Sequence, residues 1–419
     1  MDSERKCRHL AYFWALGALS IFLLAFFQYG GSPILFRDFW VQLLWPLAIG
    51  CGIIFALANR QSLPLAWALF FSISITSLFG LSEPLTGSHA VSSSPFLYGL
   101  SFYTASIAYL MTAGKLTRRS ALQVSNPLLL VTGPIALFVR AINGRNFRSR
   151  FRYYFPFVVL GFFLFQTIAT PLTEAFLIRE RTDVVSSLLF ATLFELFVYA
   201  NFCGLSLMVY GLAGISGFKI PLNFRQPFSS TNAVDFWKGW HSSLSMVLKV
   251  IFYLPSRKKW GRAGAIFIVF MASAMWHGAT VNFLFWGLLH ATIFLLTLVL
   301  LNRKIRFLPT ILLIIGIIFG RLLFFESNTD RLFERMTSFA RFDFAAFSDL
   351  AMLPGLTKLS LLMAVVFVFA EFAFQRTAMF RKRNYKFYRL PLVQFILLAL
   401  TFSVIHQNAG INYAVYGQR

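Results

Sequence analysis

Long apolar segments recur along the whole chain, and this repetition constrains the fold more than any other feature of the sequence. Runs of spanning or near-spanning length lie near residues 10–29, 39–58, 63–81, 96–114, 153–170, 184–200, 281–301, 307–325, 357–375 and 390–406. Each is long enough, or nearly so, for a helix to cross a hydrocarbon core of about 30 Å. Because the backbone of a membrane-spanning segment must satisfy its own hydrogen bonds, we expect an all-α, polytopic integral membrane protein.

The composition agrees with this prediction. Hydrophobic residues make up 58% of the 419 residues and charged residues only 13%, a balance far more apolar than that of soluble domains. The net charge of +23 is carried by basic residues in short loops between apolar runs. Such residues orient a chain in the membrane, so we interpret them as topology signals and expect no nucleic-acid partner. We expect a single membrane domain over residues 1–419.

Cysteine chemistry is not expected to contribute. Cys7, Cys51 and Cys203 are far apart in the sequence, and two of them lie inside apolar runs. Neither a disulfide framework nor a zinc site has this spacing.

The basic residues also predict the orientation of the chain. The loop between the third and fourth runs has no Lys or Arg, whereas Lys115, Arg118 and Arg119 follow the fourth run. Since basic loops stay on the cytoplasmic side, we expect a cytoplasmic N-terminus. The short segment Pro127–Val139, with basic residues on both sides, is predicted to be re-entrant. The apolar stretch that ends at Phe218 is predicted to be one span to about residue 201 and then a second, glycine-interrupted helix.

The stretch from Asn223 to His290 is the polar part of this apolar chain and the candidate site. It contains His241, His277 and His290, set among tryptophans. A short apolar segment at 263–276 precedes His277, and a full-length run follows it. Since the outer flanks of both segments are basic and therefore cytoplasmic, the turn with His277 is predicted to lie at membrane depth.

Histidine is the side chain best suited to proton transfer near neutral pH, and a neutral imidazole is less costly to bury in a membrane than a charged base. His277 is therefore a candidate general base for a hydroxyl that attacks an acyl thioester. The alternative is a hydrogen-bonded structural histidine between helices. His290 is interpreted as a packing residue. For His241, the residues alone leave open a role at the donor entrance and a role as an interfacial anchor.

Two carboxylates lie in apolar runs, Glu195 and Glu371. An isolated carboxylate is costly there, and neither belongs to a motif, so both are interpreted as members of structural pairs.

Three motifs in the central stretch carry a resemblance to a known family. Residues 217–224 read G-F-K-I-P-L-N-F, residues 236–245 read F-W-K-G-W-H-S-S-L-S, and residues 276–278 read W-H-G. In order and spacing they resemble the membrane-bound O-acyltransferase (MBOAT) family. The likeness is to its bacterial branch, which includes membrane subunits of alginate and peptidoglycan O-acetylation and the D-alanyl transfer protein of teichoic acid synthesis. The core motif region covers residues 195–290.

The resemblance implies a ring of roughly 11–13 spanning and re-entrant helices around a central tunnel. His277 matches the family's catalytic histidine, and His241 matches its second, tryptophan-flanked histidine. The side chains expected to line the substrate tunnel are Trp237, Trp240, Trp276, Asn223 and Ser245. The implied donor is an acyl thioester, either acetyl-CoA or a phosphopantetheinyl acyl carrier protein, and no metal is expected.

The chain also departs from the family pattern. Residues 201–207 read N-F-C-G-L-S-L where relatives have D-F-S-G-Y-S-D, and residues 247–250 read V-L-K-V in place of W-F-R-D. Residues 255–258, P-S-R-K, are interpreted as a basic hairpin where many relatives carry a P-L-G-G turn. These differences leave the identity of the donor open.

We therefore expect a multi-pass acyltransferase of the inner (cytoplasmic) membrane. It would move acetyl or D-alanyl from a cytoplasmic thioester to a hydroxyl of a cell-envelope polysaccharide or of an extracytoplasmic partner protein. Such a partner is expected because members of this branch typically hand the acyl group to a separate protein. The alternative is a transporter or flippase for an envelope precursor, whose histidines relay protons or bind substrate. A membrane scaffold is a third hypothesis.

Overall fold

A computed structural model of the chain describes residues 62–78, 95–124, 140–142, 144–326, 328–338, 340–376 and 390–405, together with six isolated positions: 15, 18, 19, 126, 129 and 135. The predicted spans at 10–29 and 39–58 and the predicted re-entrant segment Pro127–Val139 lie almost wholly outside these residues. So do Cys7, Cys51 and the N-terminus whose side of the membrane was predicted.

The described residues are helical almost throughout. The helices are α1 (Leu63–Leu78), α2 (Pro95–Thr112), α3 (Arg118–Val124), α4 (Phe147–Phe163), α5 (Val184–Ile215), α6 (Ala233–Gly239), α7 (Ser242–Leu248), α8 (Leu254–His277), α9 (Val281–Asn302), α10 (Phe307–Phe325), α11 (Thr329–Ser338), α12 (Ala345–Met352), α13 (Gly355–Arg376) and α14 (Pro391–Ile405). Two-residue strands, β1 (Arg140–Ala141) and β2 (Phe218–Lys219), pair antiparallel, with Arg140 opposite Lys219.

Irregular helical turns join some of these elements. A π-helical turn (Leu164–Ala169), a short α-helical piece (Thr170–Leu172) and a 3₁₀-helix (Thr173–Glu180) continue α4. Another π-helical turn, Lys249–Tyr253, joins α7 to α8. Single π-turns of this kind are frequent at functional sites.

Five helical stretches among the described residues are long and apolar enough to cross a membrane. They are Phe147–Phe176, Val184–Ile215, Val281–Asn302, Phe307–Phe325 and Gly355–Ala373. This confirms the predicted all-α, polytopic membrane fold. The predicted number of helices includes runs that the structure does not describe.

The prediction for the segment from residue 184 to 218 is wrong in one respect. The structure has one continuous helix of 32 residues, α5, where an interruption was expected. Its glycines serve close packing instead: a Cβ on Gly204 would lie 2.7 Å from the Gly161 carbonyl oxygen of α4, and a Cβ on Gly211 would lie 2.9 Å from the Tyr154 carbonyl oxygen. The two backbones therefore approach as small residues in membrane helices allow.

The segment around Pro255 also differs from its prediction. Residues 255–258 are helical and belong to α8, so there is no basic hairpin. Proline lacks a backbone N–H, and a helix tolerates it in the first turn because N–H groups there have no intrahelical acceptor. Pro255 occupies the first turn of α8. The irregularity falls later, at Gly261, whose φ of 67° kinks the helix.

Two large apolar clusters form the core. The first joins α1, α2 and the π-helical turn after α7, and includes Phe70, Tyr103 and Ile251. The second joins α5, α9 and α10, and includes Phe197, Trp286 and Phe324. Trp276 belongs to the first cluster, whereas the next residue, His277, contacts rings of the second. The clusters therefore meet at the end of α8.

The segment between α10 and α13 contains short helices and buried polar contacts. It folds into α11 and α12, and a buried ion pair joins Arg335 of α11 to Glu326, with 3.1 Å between Nε and Oε2. Arg335 Nη1 also donates to the Arg181 carbonyl oxygen at 2.9 Å and to Ser187 Oγ at 3.2 Å. Arg181 in turn pairs with Asp349 of α12 at 2.7 Å. These bonds fasten the segment to the start of α5.

Candidate functional site

A cavity of about 640 Å³ opens among α5, α6, α7, α8, α9 and α10. Pockets that bind small molecules commonly measure about 300–1,000 Å³. Most of its wall is aromatic or aliphatic, and its polar side chains come from a small set of residues: Glu195, Ser245, Ser273, His241, His277, His290, Arg321 and several lysines and arginines. All three histidines of the central stretch therefore meet at one cavity.

His277 ends α8 beside this cavity. The Gly278 N–H donates to the Ala274 carbonyl oxygen at 3.1 Å, and α9 begins three residues later. The imidazole is partly exposed to the cavity and lies 4.9 Å from the Phe324 ring and 5.7 Å from the Trp286 ring, between centroids. The turn predicted between two antiparallel helices is thus present, and its histidine sits among aromatic rings.

His241 lies at a break between α6 and α7. Its φ of 43° and ψ of 52° are left-handed, a conformation that is strained for a residue with a side chain and that surrounding contacts must hold. Two hydrogen bonds of the next residue supply that support: Ser242 N–H donates to the Asn223 carbonyl oxygen at 2.8 Å, and Ser242 Oγ donates to the Leu222 carbonyl oxygen at 2.6 Å. The His241 ring faces the cavity, and its Nδ1 has no hydrogen-bond partner among the described residues.

Asn223 lies behind the cavity wall, not on it. Its Oδ1 accepts from Ser243 Oγ at 2.7 Å and its Nδ2 donates to Ser206 Oγ at 3.3 Å. The amide thereby ties the loop before α6 to α7 and to α5. Asn223 therefore supports the His241 turn, and its predicted place along the substrate tunnel stays a prediction.

Trp276 is also set back from the wall. Its ring packs 6.0 Å from Phe70 and 5.7 Å from Phe102, within the first apolar cluster. Side chains of consecutive helical residues point about 100° apart. Because the His277 side chain points toward the cavity, the Trp276 side chain points away from it.

Three other predicted tunnel residues do line the cavity. Trp237 and Trp240 contribute their indoles, and Ser245 lies beside them, its Oγ donating to the Trp237 carbonyl oxygen at 3.1 Å. Their part in substrate binding stays a prediction.

His290 fills a tight space on α9. Its ring lies 4.7 Å from the Trp286 ring and 5.1 Å from the Trp237 ring. A Cβ on Gly320 of α10 would collide with the imidazole, so this glycine leaves room for the ring. This packing agrees with the interpretation of His290 as a packing residue.

Sequence reasoning missed Arg321, which lies in the spanning helix α10 and on the cavity wall. Its Nε donates to Glu195 of α5 in an ion pair whose side chains are only 11% and 5% exposed. The guanidinium carbon lies 4.8 Å from the centroid of the Trp240 ring. Glu195 thus has the partner that was predicted for it, whereas Glu371 accepts a hydrogen bond from the Tyr199 hydroxyl. A lone arginine inside an apolar run was the signal that could have identified Arg321.

Exposed basic residues line one part of the cavity, and we call Lys238, Lys249, Arg257 and Arg262 the cationic mouth. They come from α6, the π-helical turn and the kinked start of α8. The Lys238 ammonium also donates to Asp235 at 2.8 Å, which keeps the pKa of that carboxyl below its usual range. An opening with this charge attracts anions.

The described part of the chain offers no obvious metal centre. No group of three or more His, Cys, Asp or Glu side chains in it is close enough to hold an ion.

Comparison with known proteins adds to this geometry. The profile of the MBOAT, membrane-bound O-acyltransferase family matches residues 103–319, more than half of the chain. The chain is 30% identical over 125 residues to the teichoic acid D-alanyltransferase of Bacillus subtilis, a match that covers 27% of the chain and 31% of that protein. It is 35% identical over 97 residues to the peptidoglycan O-acetyltransferase of Helicobacter pylori, over 22% of the chain and 18% of that protein.

A third relative is a probable alginate O-acetylase of Azotobacter vinelandii, 30% identical over 187 residues, which are 41% of the chain and 36% of that protein. In each case the matched part spans less than two fifths of the relative's length. The family profile, in contrast, covers most of α2 through most of α10, including His241, His277 and most of the residues that line the cavity. The chain belongs to the membrane-bound O-acyltransferase family.

Proposed function

We propose that this protein is an acyltransferase of the inner membrane that takes an acyl group, acetyl or D-alanyl, from a cytoplasmic thioester. It delivers that group across the membrane to a hydroxyl of an envelope polysaccharide or of an extracytoplasmic partner protein. One observation carries the proposal: His277 lies on the wall of an aromatic cavity of small-molecule size, in a chain of this family.

The aromatic surroundings of His277 suit a general base. The flanking Phe324 and Trp286 rings limit water near the imidazole, so a hydroxyl beside it exchanges its proton with the histidine and not with solvent. As the hydroxyl oxygen attacks the thioester carbonyl carbon, a C–O bond forms and the hydroxyl proton passes to His277. When the C–S bond breaks, the departing sulfur takes that proton. The products are an ester and a thiol, and His277 is restored.

The cationic mouth supports a phosphate-bearing donor. Acetyl-CoA and a phosphopantetheinyl carrier protein both present phosphate groups beside the thioester arm, and Lys and Arg are the side chains that bind phosphate. Arg257, packed 6.0 Å above the Tyr253 ring, lines the cavity together with that ring. The phosphates would bind at the mouth while the flexible arm reaches toward His277.

His241 is proposed to act on the donor side of the cavity. It sits between α6, which contributes Lys238 of the cationic mouth, and α7, which leads into the π-helical turn with Lys249. Its Nδ1 is buried and makes no hydrogen bond to a described residue, so a donor group that reaches it would supply the missing hydrogen bond.

The envelope acceptor is proposed from the relatives. Their names specify teichoic acid D-alanylation, peptidoglycan O-acetylation and alginate O-acetylation. O-acetylation is the acylation of a hydroxyl oxygen, so a hydroxyl of an envelope polysaccharide is the acceptor proposed here too. A separate extracytoplasmic protein would carry the acyl group to it.

The test is thioester consumption by the purified chain in liposomes. The wild type should release free thiol from acetyl-CoA or from a D-alanyl carrier protein, and His277→Ala, inserted equally well, should lose at least about 10²-fold in rate, as expected for a general base. Undiminished transfer by His277→Ala would contradict the assignment of the base. Movement of an intact envelope precursor without thiol release would favour the transporter hypothesis instead.

A second test addresses the mouth. Arg257→Glu should raise KM for acetyl-CoA, yet leave unchanged the KM for S-acetyl-N-acetylcysteamine, a thioester without phosphate. Arg303→Glu, an exposed change just after α9 and away from the cavity wall, is the matched control and should alter neither. An equal effect of Arg257→Glu on both thioesters would exclude phosphate binding at the mouth.

A further inference from the structure

Arg321 is an unusual residue for its position. It lies on the spanning helix α10, its side chain is 11% exposed, and it faces the cavity that also holds His277. A charged side chain within a membrane span is costly and is found mainly where it is paired or functional. The family profile ends at residue 319, so nothing in that match assigns Arg321 a role.

The ion pair with Glu195 uses only a small part of the guanidinium. An arginine side chain has five N–H donors, one on Nε and four on the two terminal nitrogens. Nε donates to Glu195, whereas the terminal nitrogens make no hydrogen bond to any described residue. The rings of Trp240 and Phe324 lie 4.8 Å and 5.6 Å from the guanidinium carbon, and neither provides an oxygen acceptor.

The position of these donors relates them to His277. Phe324 follows Arg321 by three residues, so both side chains lie on the same face of α10. The Phe324 ring contacts the guanidinium on one side and the His277 imidazole, at 4.9 Å, on another. A reacting group beside His277 in this cavity is therefore near a buried cation with unused donors.

We propose that Arg321 is a further catalytic residue: its terminal N–H groups donate to the thioester carbonyl oxygen as that oxygen gains negative charge, and Glu195 holds the guanidinium in place. This inference rests on the proposed acyl transfer. When the acceptor hydroxyl attacks, the C–O bond forms, the carbonyl π pair moves onto oxygen and the hydroxyl proton goes to His277. The pair then returns, the C–S bond breaks and sulfur leaves with that proton, while Arg321 keeps its own protons throughout.

A fixed donor aimed at such an oxygen acts strongly in a water-poor cavity. Removal of one donor of this kind typically lowers kcat by about 10²–10³-fold. A purely structural pair behaves differently, because loss of either partner destabilises the fold and exchange of the two charges restores it. Restoration by exchange therefore separates the two roles.

The experiment compares three variants with the wild type: Arg321→Ala, Arg321→Lys, and a charge exchange that combines Glu195→Arg and Arg321→Glu. Each is used as the full chain in liposomes with labelled acetyl-CoA or a D-alanyl carrier protein. We expect Arg321→Ala to lose at least 10²-fold in kcat with KM little changed, and added guanidinium ion to restore part of the rate. The charge exchange should recover the melting temperature of the wild type without recovering activity. Arg335→Lys, at the other buried pair, is the matched control and should keep its kcat per folded molecule.

Three results would overturn the inference. They are normal kcat in Arg321→Ala, full activity in the charge exchange, and a fall in rate that follows the folded fraction without any response to guanidinium ion. Failure of the proposed function looks different, since the wild type itself would then release no thiol. If Arg321→Ala does not insert, Arg321→Lys keeps the charge while losing the planar donors, and an unchanged kcat in that variant also counts against the inference.

Discussion

Among the residues that the structure describes, two buried arginine–glutamate pairs occur, and they differ in what surrounds them. Arg335 and Glu326 lie beneath the segment between α10 and α13, where Arg335 also binds the Arg181 carbonyl oxygen and Ser187. Arg321 and Glu195 lie on the cavity wall, where aromatic rings are the other neighbours of the guanidinium. The same two residue types are thus used once to fasten a segment and once to present donors to a cavity.

The lesson is that burial of a charge does not by itself indicate its role. Its role is better indicated by how many of its N–H donors are already hydrogen-bonded to other protein groups. Arg335 has at least three hydrogen bonds to protein oxygens that hold a chain segment in place. Arg321 has one to Glu195 and otherwise faces the space where a ligand would lie.

The largest expected effect comes from breaking the structural pair. Arg335→Ala leaves the Glu326 carboxylate buried without its cation and removes two further hydrogen bonds, so the free energy of unfolding should fall by about 3–5 kcal/mol. Thermal unfolding of the purified protein in detergent measures this. Transfer activity per folded molecule should stay as in the wild type, and a selective loss of activity would show that the two pairs do not differ as described.

Replacing each whole pair by apolar residues sharpens the comparison. Arg321→Met with Glu195→Leu should leave stability unchanged or increased, because an apolar pair avoids the desolvation of two ions, yet it should abolish transfer. Arg335→Met with Glu326→Leu should lose about 1–3 kcal/mol, because the Arg181 carbonyl and Ser187 lose their donor, and it should keep its activity. The opposite pattern in stability and thiol-release measurements would invert the two roles.

A smaller effect is expected from the packing behind Arg321. Gly320→Ala places a methyl group against the His290 ring, which Trp237 and Trp286 keep from moving, so we expect a loss of about 1–3 kcal/mol. Gly316→Ala is the matched control, one turn earlier on α10, where the nearest atom is the flexible end of Ile293 at 3.0 Å. Equal melting temperatures for the two variants would show that His290 is not held as tightly as its contacts indicate.

The smallest effect is expected at the exposed pair beside Arg335. Asp349→Asn removes a carboxylate that is 40% exposed and bound to the equally exposed Arg181 side chain. Surface pairs of this kind contribute little and are screened by salt. The melting temperature should not change measurably, and a large decrease would mean that Arg181 matters to the segment through its side chain as well as its backbone.

Much of the fold follows from the sequence because hydrophobic length determines which helices can span a membrane. The runs near 281–301 and 307–325 became α9 and α10 with nearly the predicted ends. The interruption expected near residue 201 is absent because glycines within an apolar helix can serve packing as well as bending, and only the neighbouring α4 decides between these uses.

The site was only partly predictable for a related reason. The motifs directed attention to His241 and His277, which do meet at one cavity, and to Trp237 and Trp240, which line it. Asn223 belongs to the same motifs but supports the chain behind the wall, since a motif does not specify which way its residues face. Arg321 lies outside every motif, and only the packing of α10 against α5 brings it to Glu195.

The tryptophans on the cavity wall have an optical consequence. Trp237, Trp240 and Trp286 border the cavity, out of nine tryptophans in the chain. Any molecule that enters comes to lie against these indoles, and indole emission shifts in wavelength when the polarity of its surroundings changes. The protein therefore carries an intrinsic fluorescent reporter of cavity occupancy, which would let a spectrometer rank candidate thioesters before any acceptor is identified.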